Sequence, residues 1–400
     1  MDNVNQRTIS RIFLIIGTAW LFDAMDVGLL SFIMSIVHKE WALTNSQTGL
    51  ISSISTIGMV CGGFYFGHLA DRIGRKNTLI ATLLTFSIGN LILAGAPGFM
   101  AFLIIRFIVG MGLGGELPVA ATYIADIYRG RKRSQMLILA DSFWALGWLA
   151  ASFLSFLLTP FLGWRGILVI TAVTGFFAII LRKHIHESRS ESAVKQHWLV
   201  SLRQTFKPWT LMLWLAWFMV MFSYYGMFMW LPSIMVDKGY GIVNSFGYTT
   251  IIVVAQLPGY FCAAWLAKRI KVKYVFALYM LGTALGAVMF GQSTTAALIV
   301  VSGCVLSFFN LGAYGAIIAL TPELYQNNIR GTMTGMAQGI GRIGAIFGPL
   351  LIGVLMDRQI GISVIFGIFM VSLVIGALAV LALPTSNNLK ETHNNEPNLN

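Results

Sequence analysis

Twelve apolar stretches set the limits on what this 400-residue chain can fold into. They lie near residues 12–36, 47–68, 78–96, 99–124, 135–159, 165–182, 209–233, 245–267, 274–292, 296–320, 332–356 and 361–383. A helix needs roughly 20 apolar residues to cross the hydrocarbon core of a bilayer, and only helices or closed barrels satisfy their own backbone there. The pattern predicts an all-α membrane protein with twelve transmembrane helices. A composition that is 57% hydrophobic and 10% charged, with mean hydropathy +0.77, excludes a water-soluble globule. The polar start MDNVNQRTISR runs into the first span with no small-residue cleavage site behind it, so the first helix is expected to be a retained anchor.

The net charge of +12 raises the question of a nucleic-acid partner, and its placement answers it. If the N-terminus is inside, the arm, alternate loops and tail on that side hold 21 of the 27 Lys and Arg. That asymmetry predicts a multi-pass protein of the cell membrane with both termini cytoplasmic, its basic inner face turned to anionic lipid and not to nucleic acid. The chain is expected to act as a monomer. Cys61, Cys262 and Cys304 fall inside apolar spans with no metal-ligand spacing, so they are expected to be small core residues, with no metal or cofactor.

The longest polar stretch before the tail follows Leu181. It divides the chain into a six-helix half at 1–182, a cytoplasmic linker at 183–207, a second six-helix half at 208–384 and a disordered tail at 385–400. Sliding the sequence on itself by 197 residues supports the division. Trp20 then falls on Trp217, Gly62 on Gly259, Arg72 on Arg269, Lys76 on Lys273, Tyr128 on Tyr325, Arg133 on Arg330 and Gly147 on Gly344. Charged and aromatic matches at one constant offset point to two parallel repeats.

Ionisable residues inside spans are functional by default, since a charge at a helix centre costs roughly 2.5–3.5 kcal/mol on insertion scales. Asp23 and Asp26 share a face of the first helix, about 17–22 Å deep by the helix rise, and Arg106 of the fourth span lies at similar depth. An Arg between two carboxylates can serve as a proton site; the bland alternative is a structural ion pair. All six histidines fall in loops or termini, so a carried proton must use Asp or Glu. Glu116 is either a second relay or a partner of the basic loop, and Asp141 reads as a snorkelling or capping residue. Gly110 and Gly114 follow Arg106 at i+4 and i+8, a small-residue face for close packing.

Arg342 lies about 15 Å into the eleventh span, with Gln338 on its face and no acidic residue within four positions. A lone midplane guanidinium suits capture of a substrate carboxylate, unless an Asp from another helix pairs with it. Trp217, Tyr224 and Tyr225 of the seventh span, with Trp144 and Trp148 of the fifth, are the pocket aromatics by depth. Asn310 and Gln256 can orient a ring or a carboxylate.

The loop GHLADRIGRK, Gly67 to Lys76, has its own logic. Gly67 lets the helix end pack closely, Asp71 caps the next helix or pairs with a base, and Gly74 permits a tight turn. Arg72, Arg75 and Lys76 hold the loop on the cytoplasmic side. Its order resembles, at every fixed position, the G-x-x-x-D-R-x-G-R-K loop between helices two and three of the major facilitator superfamily. The second-half loop TPELYQNNIRG, with Glu323 and Arg330, resembles that family's inter-helix charge lock. With HESR at 186–189, these loops resemble the branch of sugar porters, aromatic-acid/proton symporters and synaptic-vesicle-glycoprotein-like carriers. Arg106 stands where that superfamily's helix-four motif begins, linked to proton coupling. Asp23 and Asp26 stand in the paired-aspartate element of aromatic-acid/proton symporters, and LFDAMDVGLLSF with GLGGELPV looks like the bacterial niacin permeases.

The resemblance implies a secondary transporter that imports a small aromatic carboxylate, nicotinate above all, by proton symport with alternating access. Other organic acids, a sugar and a non-transporting sensor remain open readings. A drug/proton antiporter would carry a helix-five G-x-x-x-G-P element, which DSFWALGWLAASFL lacks. A neutral sugar would not call for two helix-one aspartates and a midplane Arg. No His, Ser-His or metal-spaced set lies in or beside a span, so an enzyme is not expected.

Overall fold

The computed structural model describes residues 6–127, 130–173, 208–325 and 330–384, and among these it is helical with no strand. The elements are α1 Gln6–Glu40, α2 Asn45–Ile73, α3 Arg75–Ala94, α4 Phe99–Ile127 and α5 Gly130–Ala172. They continue as α6 Pro208–Asp237, α7 Ile242–Val254, α8 Gln256–Leu266, α9 Val272–Gln292, α10 Ala296–Leu320, a 3-10 turn Thr321–Leu324, α11 Arg330–Asp357 and α12 Ile362–Leu381. Ten helices among the described residues are long and apolar enough to cross a membrane, and Phe99–Gly115 is a shorter apolar helix at the fourth predicted span. The molecule is a multi-pass membrane protein. Large apolar side chains such as Phe64, Met100 and Phe161 are more than two-thirds exposed, as suits a surface facing lipid.

Local chemistry sets the breaks. Gly163 has φ +60°, which interrupts α5 where the fifth predicted span gives way to the sixth. The sixth span runs beyond the described residues, as do the linker at 183–207 and the tail. Pro258 has no N–H to offer the Val254 carbonyl, and the eighth span divides there into α7 and α8.

In the first half of the chain, α1 packs on α5, and both α2 and α3 pack on α4. In the second, α6 packs on α11, α8 on α10, and α9 on α10 and α12. The expected glycine face of α4 is present. A Cβ on Gly110 would lie 2.2 Å from the Ser55 carbonyl oxygen, and one on Gly114 1.9 Å from that of Met59. Only glycine lets α2 and α4 approach so closely.

Two seams, α2 against α11 and α5 against α7, join the halves, and α1 also meets α6. At the end remote from the Gly67–Lys76 loop the α2–α11 seam is closed. Asn45 and Ser46 donate their backbone N–H groups to the Asp357 carboxylate at 2.9 and 2.8 Å, and the Ser46 hydroxyl donates to it as well. Ser53 Oγ donates to the Ile346 carbonyl at 2.7 Å, and Phe32 meets Phe246 edge-on at 4.9 Å. At the loop end, a Cβ on Gly335, Gly339 or Gly67 would find none of the described residues within 4 Å.

One expectation is corrected. Cys61 and Cys262 are exposed and Cys304 is partly so. They are not core residues, because a small apolar thiol is as well placed against lipid as inside the bundle. Among the described residues, none lies within 4 Å of a Cβ built on Gly67.

Candidate functional site

The charged part of the site begins on α1. Asp23 and Asp26 are each 1% exposed, and Arg106 on α4 is fully buried. Arg106 Nη1 donates to Asp26 Oδ2 at 2.7 Å. Asn90 Nδ2 on α3, also fully buried, donates to Asp26 Oδ1. One carboxylate thus ties α1 to α3 and α4. Burying these charges is tolerable because they are paired and hydrogen-bonded. Among the described residues Arg106 Nε and Nη2 have no hydrogen-bond partner.

The expected arrangement of Arg106 between two carboxylates is thereby refined. Arg106 hydrogen-bonds Asp26, while Asp23 lies within electrostatic reach of Tyr225 on α6. An i, i+3 pair differs by about 60° around the helix axis, which is enough to give the two aspartates different neighbours.

Arg342 on α11 is half-buried. Its Nη1 donates to the Met59 thioether on α2 at 3.0 Å, a weak acceptor. Among the described residues no carboxylate lies within ion-pair distance of it. Tyr225 is within electrostatic reach of Arg342 as well as Asp23. Gln338, one turn towards the loop end, is exposed.

Aromatic side chains surround Tyr224. Trp144 Nε1 donates to its hydroxyl at 2.9 Å. Its ring centroid lies 6.1 Å from Trp148, 5.3 Å from Tyr225, 5.1 Å from Phe228 and 6.4 Å, stacked, from Tyr314 on α10. Trp148 also meets Phe228 at 6.1 Å. The first half supplies two tryptophans of this box and the second half supplies the rest. Trp217 sits at its margin: the ring meets Tyr314 at 6.0 Å, and Nε1 donates to Thr321 Oγ1 at 2.8 Å. Asn310, one turn from Tyr314, and Gln256 are fully buried, and both polar atoms of each carboxamide lack partners among the described residues. Leaving such a group unmet costs about 1–3 kcal/mol, so water or a bound solute is the natural partner.

In the loop between α2 and α3, Gly74 has φ +90° and donates its N–H to the Ala70 carbonyl at 3.1 Å, the turn expected of it. Arg72 is exposed and Lys76 partly so. Glu323 is exposed in the 3-10 turn. The side chains of Asp71, Arg75, Glu116, Asp141 and Arg330 lie outside the described residues.

Sequence reasoning missed Asn90, Tyr314, Phe228 and Met59. Asn90 had a signal, a lone carboxamide in an apolar span. The other three carry none that separates them from lipid-facing neighbours of the same type. Chemically the site offers a cation without a carboxylate partner, a wall of rings from both halves, and a buried ion pair close by. That set suits a flat anion. Among the described residues no cluster of His, Cys, Asp and Glu could hold a metal ion.

A family model described as Major Facilitator Superfamily matches residues 16–258 and 244–398. A Bacillus subtilis (strain 168) protein provisionally named a niacin/nicotinamide transporter is 48% identical over 375 residues, covering 92% of this chain and 94% of that protein. A niacin transporter of Acinetobacter baylyi is 40% identical over 403 residues, with 92% of each chain covered. Among solved structures, a D-xylose–proton symporter superposes with a TM-score of 0.79 at 18% identity, covering 94% of this chain and 98% of its own.

Proposed function

Since this chain belongs to the major facilitator superfamily and is a transporter of that type, we propose that it imports a small aromatic carboxylate, nicotinate above all, together with protons. One observation carries the reading: Arg342 is a half-buried guanidinium between the halves whose hydrogen bond goes to a thioether, not to a carboxylate. A substrate carboxylate is the partner such a group lacks, and a guanidinium can hold it through two parallel hydrogen bonds. The box of Trp144, Trp148, Tyr224 and Tyr314 then packs the ring, with Tyr225 between the charged groups. Asp23 and Asp26 carry the proton, beside Arg106, and titrate once per cycle.

Access alternates between the two faces, with the halves at 1–182 and 208–384 rocking about the site. The closed Asp357 end faces outwards and the open loop end faces the cytoplasm, with both termini inside. The names of the two bacterial relatives favour nicotinate within the aromatic acids.

The test is uptake of radiolabelled nicotinate into proteoliposomes with and without an inward proton gradient. Gradient-driven accumulation supports the proposal. Binding without accumulation points to a sensor, and absence of binding removes nicotinate as the substrate.

A further inference from the structure

We propose that the indole N–H of Trp148 reads the ring nitrogen of the substrate, and so selects a pyridine carboxylate over a benzene carboxylate. This rests on the reading of the site as one for an aromatic acid. Five tryptophans among the described residues are at least nine-tenths buried: Trp144, Trp148, Trp164, Trp217 and Trp230. Four of their N–H groups have acceptors. Trp144 donates to Tyr224 Oη at 2.9 Å, Trp164 to Glu40 Oε2 at 2.6 Å, Trp217 to Thr321 Oγ1 at 2.8 Å and Trp230 to the Pro349 carbonyl at 3.0 Å. Trp148, 1% exposed, has none.

That exception stands inside the aromatic box, with Tyr224 and Phe228 each 6.1 Å from its ring. Its position is fixed from behind. Gly28 on α1 lies so close that a Cβ there would come 3.3 Å from Trp148 Cδ2. The indole is a donor with no acceptor capacity. A carboxylate already has Arg342, so what a donor-only edge in the ring compartment lacks is a neutral acceptor in the plane of a ring. A pyridine nitrogen is one, and a benzene C–H is not. Sites built to hydrogen-bond a polar atom reject the analogue without it, because the buried group is left unpaired.

The experiment compares binding of nicotinate and benzoate to the purified full chain and its Trp148→Phe variant by isothermal titration calorimetry. The substitution deletes the N–H and keeps an aromatic ring. Wild-type protein should prefer nicotinate, and Trp148→Phe should lower the nicotinate-to-benzoate affinity ratio about tenfold, because both acids share any loss of ring packing and only nicotinate loses the hydrogen bond. Retained benzoate binding shows that the variant is folded. Should benzoate binding vanish as well, Trp148→Tyr serves as the second variant, and its hydroxyl donor should restore part of the nicotinate preference. Equal wild-type affinity for the two acids, a preference unchanged in Trp148→Phe, or no recovery in Trp148→Tyr would overturn the assignment while leaving an aromatic-acid site in place. Wild-type protein that binds neither acid would instead remove the underlying reading.

Discussion

Replacing Arg342 by glutamine removes a guanidinium while disturbing little around it, because the hydrogen bond lost goes to the Met59 thioether at 3.0 Å and no described carboxylate lies within ion-pair distance. The loss should therefore fall on binding and not on folding. A hydrogen bond to a charged group contributes about 1.5–3 kcal/mol, so two parallel bonds from Arg342 to a carboxylate are worth at least about 3 kcal/mol, or roughly 100-fold in affinity. Arg342→Gln should weaken nicotinate binding by that factor, and Arg342→Lys, which keeps the charge but not the fork, by about tenfold. The assay is calorimetric titration of purified protein with nicotinate and with its neutral amide, alongside thermal unfolding. The amide has no charge to lose, so its affinity should change by less than about threefold. If Arg342→Gln bound the acid within about threefold of wild type while remaining folded, the carboxylate assignment would be wrong.

Asp26→Asn should behave in the opposite way. It leaves the fully buried Arg106 without its ion pair, which costs about 3 kcal/mol, so the melting temperature should fall by several degrees. Reconstituted, this variant should lose proton-driven accumulation and keep substrate exchange; loss of both or of neither speaks against a coupling role. Asp357→Ala removes the acceptor that holds Asn45 and Ser46 across the seam, comparable to losing a helix cap, so the closed end should open more often by about fivefold. Reactivity of a cysteine placed at Ser53 towards a membrane-impermeant reagent measures this, and unchanged reactivity sinks the latch. Gly67→Val should leave nicotinate affinity unchanged, since no described residue lies within 4 Å of its Cβ position, but slow turnover measured as counterflow. Wild-type turnover would show that this end of the seam never closes on Gly67.

Much of this was legible in the sequence because a bilayer makes composition speak loudly. Apolar length marked the spans, and the intramembrane charges marked Asp26, Arg106 and Arg342. The Gly110 and Gly114 spacing marked a small-residue face, and the structure supplies its partner, α2. What the sequence could not convey was which side of a helix a neutral residue faces. Cys61 and Trp148 both lie in apolar spans, yet one is exposed and the other 1% exposed. In water, hydrophobic periodicity would separate them; in a membrane both faces are apolar and the periodic signal fades. Asn90 escaped for a related reason. Attention to formal charge passed over a carboxamide whose N–H donors are what a buried carboxylate needs beside it.

The two ends of the α2–α11 seam make a physical argument about the Gly67–Lys76 loop. At the remote end, Gly353 packs so tightly that a Cβ would lie 2.4 Å from the Asn45 carbonyl oxygen, and Gly49 likewise 2.6 Å from that of Pro349. At the loop end, Gly67, Gly335 and Gly339 meet no described residue within 4 Å. Glycine in a helix interior costs roughly 0.5–1 kcal/mol relative to alanine, and where a backbone crosses close by, that cost is offset by packing. Nothing offsets it for the three loop-end glycines in this conformation. The same small-residue device therefore stands at both ends of one seam and is engaged at only one of them. A second arrangement, in which α2 and α11 close over Gly67, Gly335 and Gly339 and part at Asn45, would give those glycines their use. The charges of the loop would then have partners in that state, and its order of residues would be a record of a contact the present one does not make.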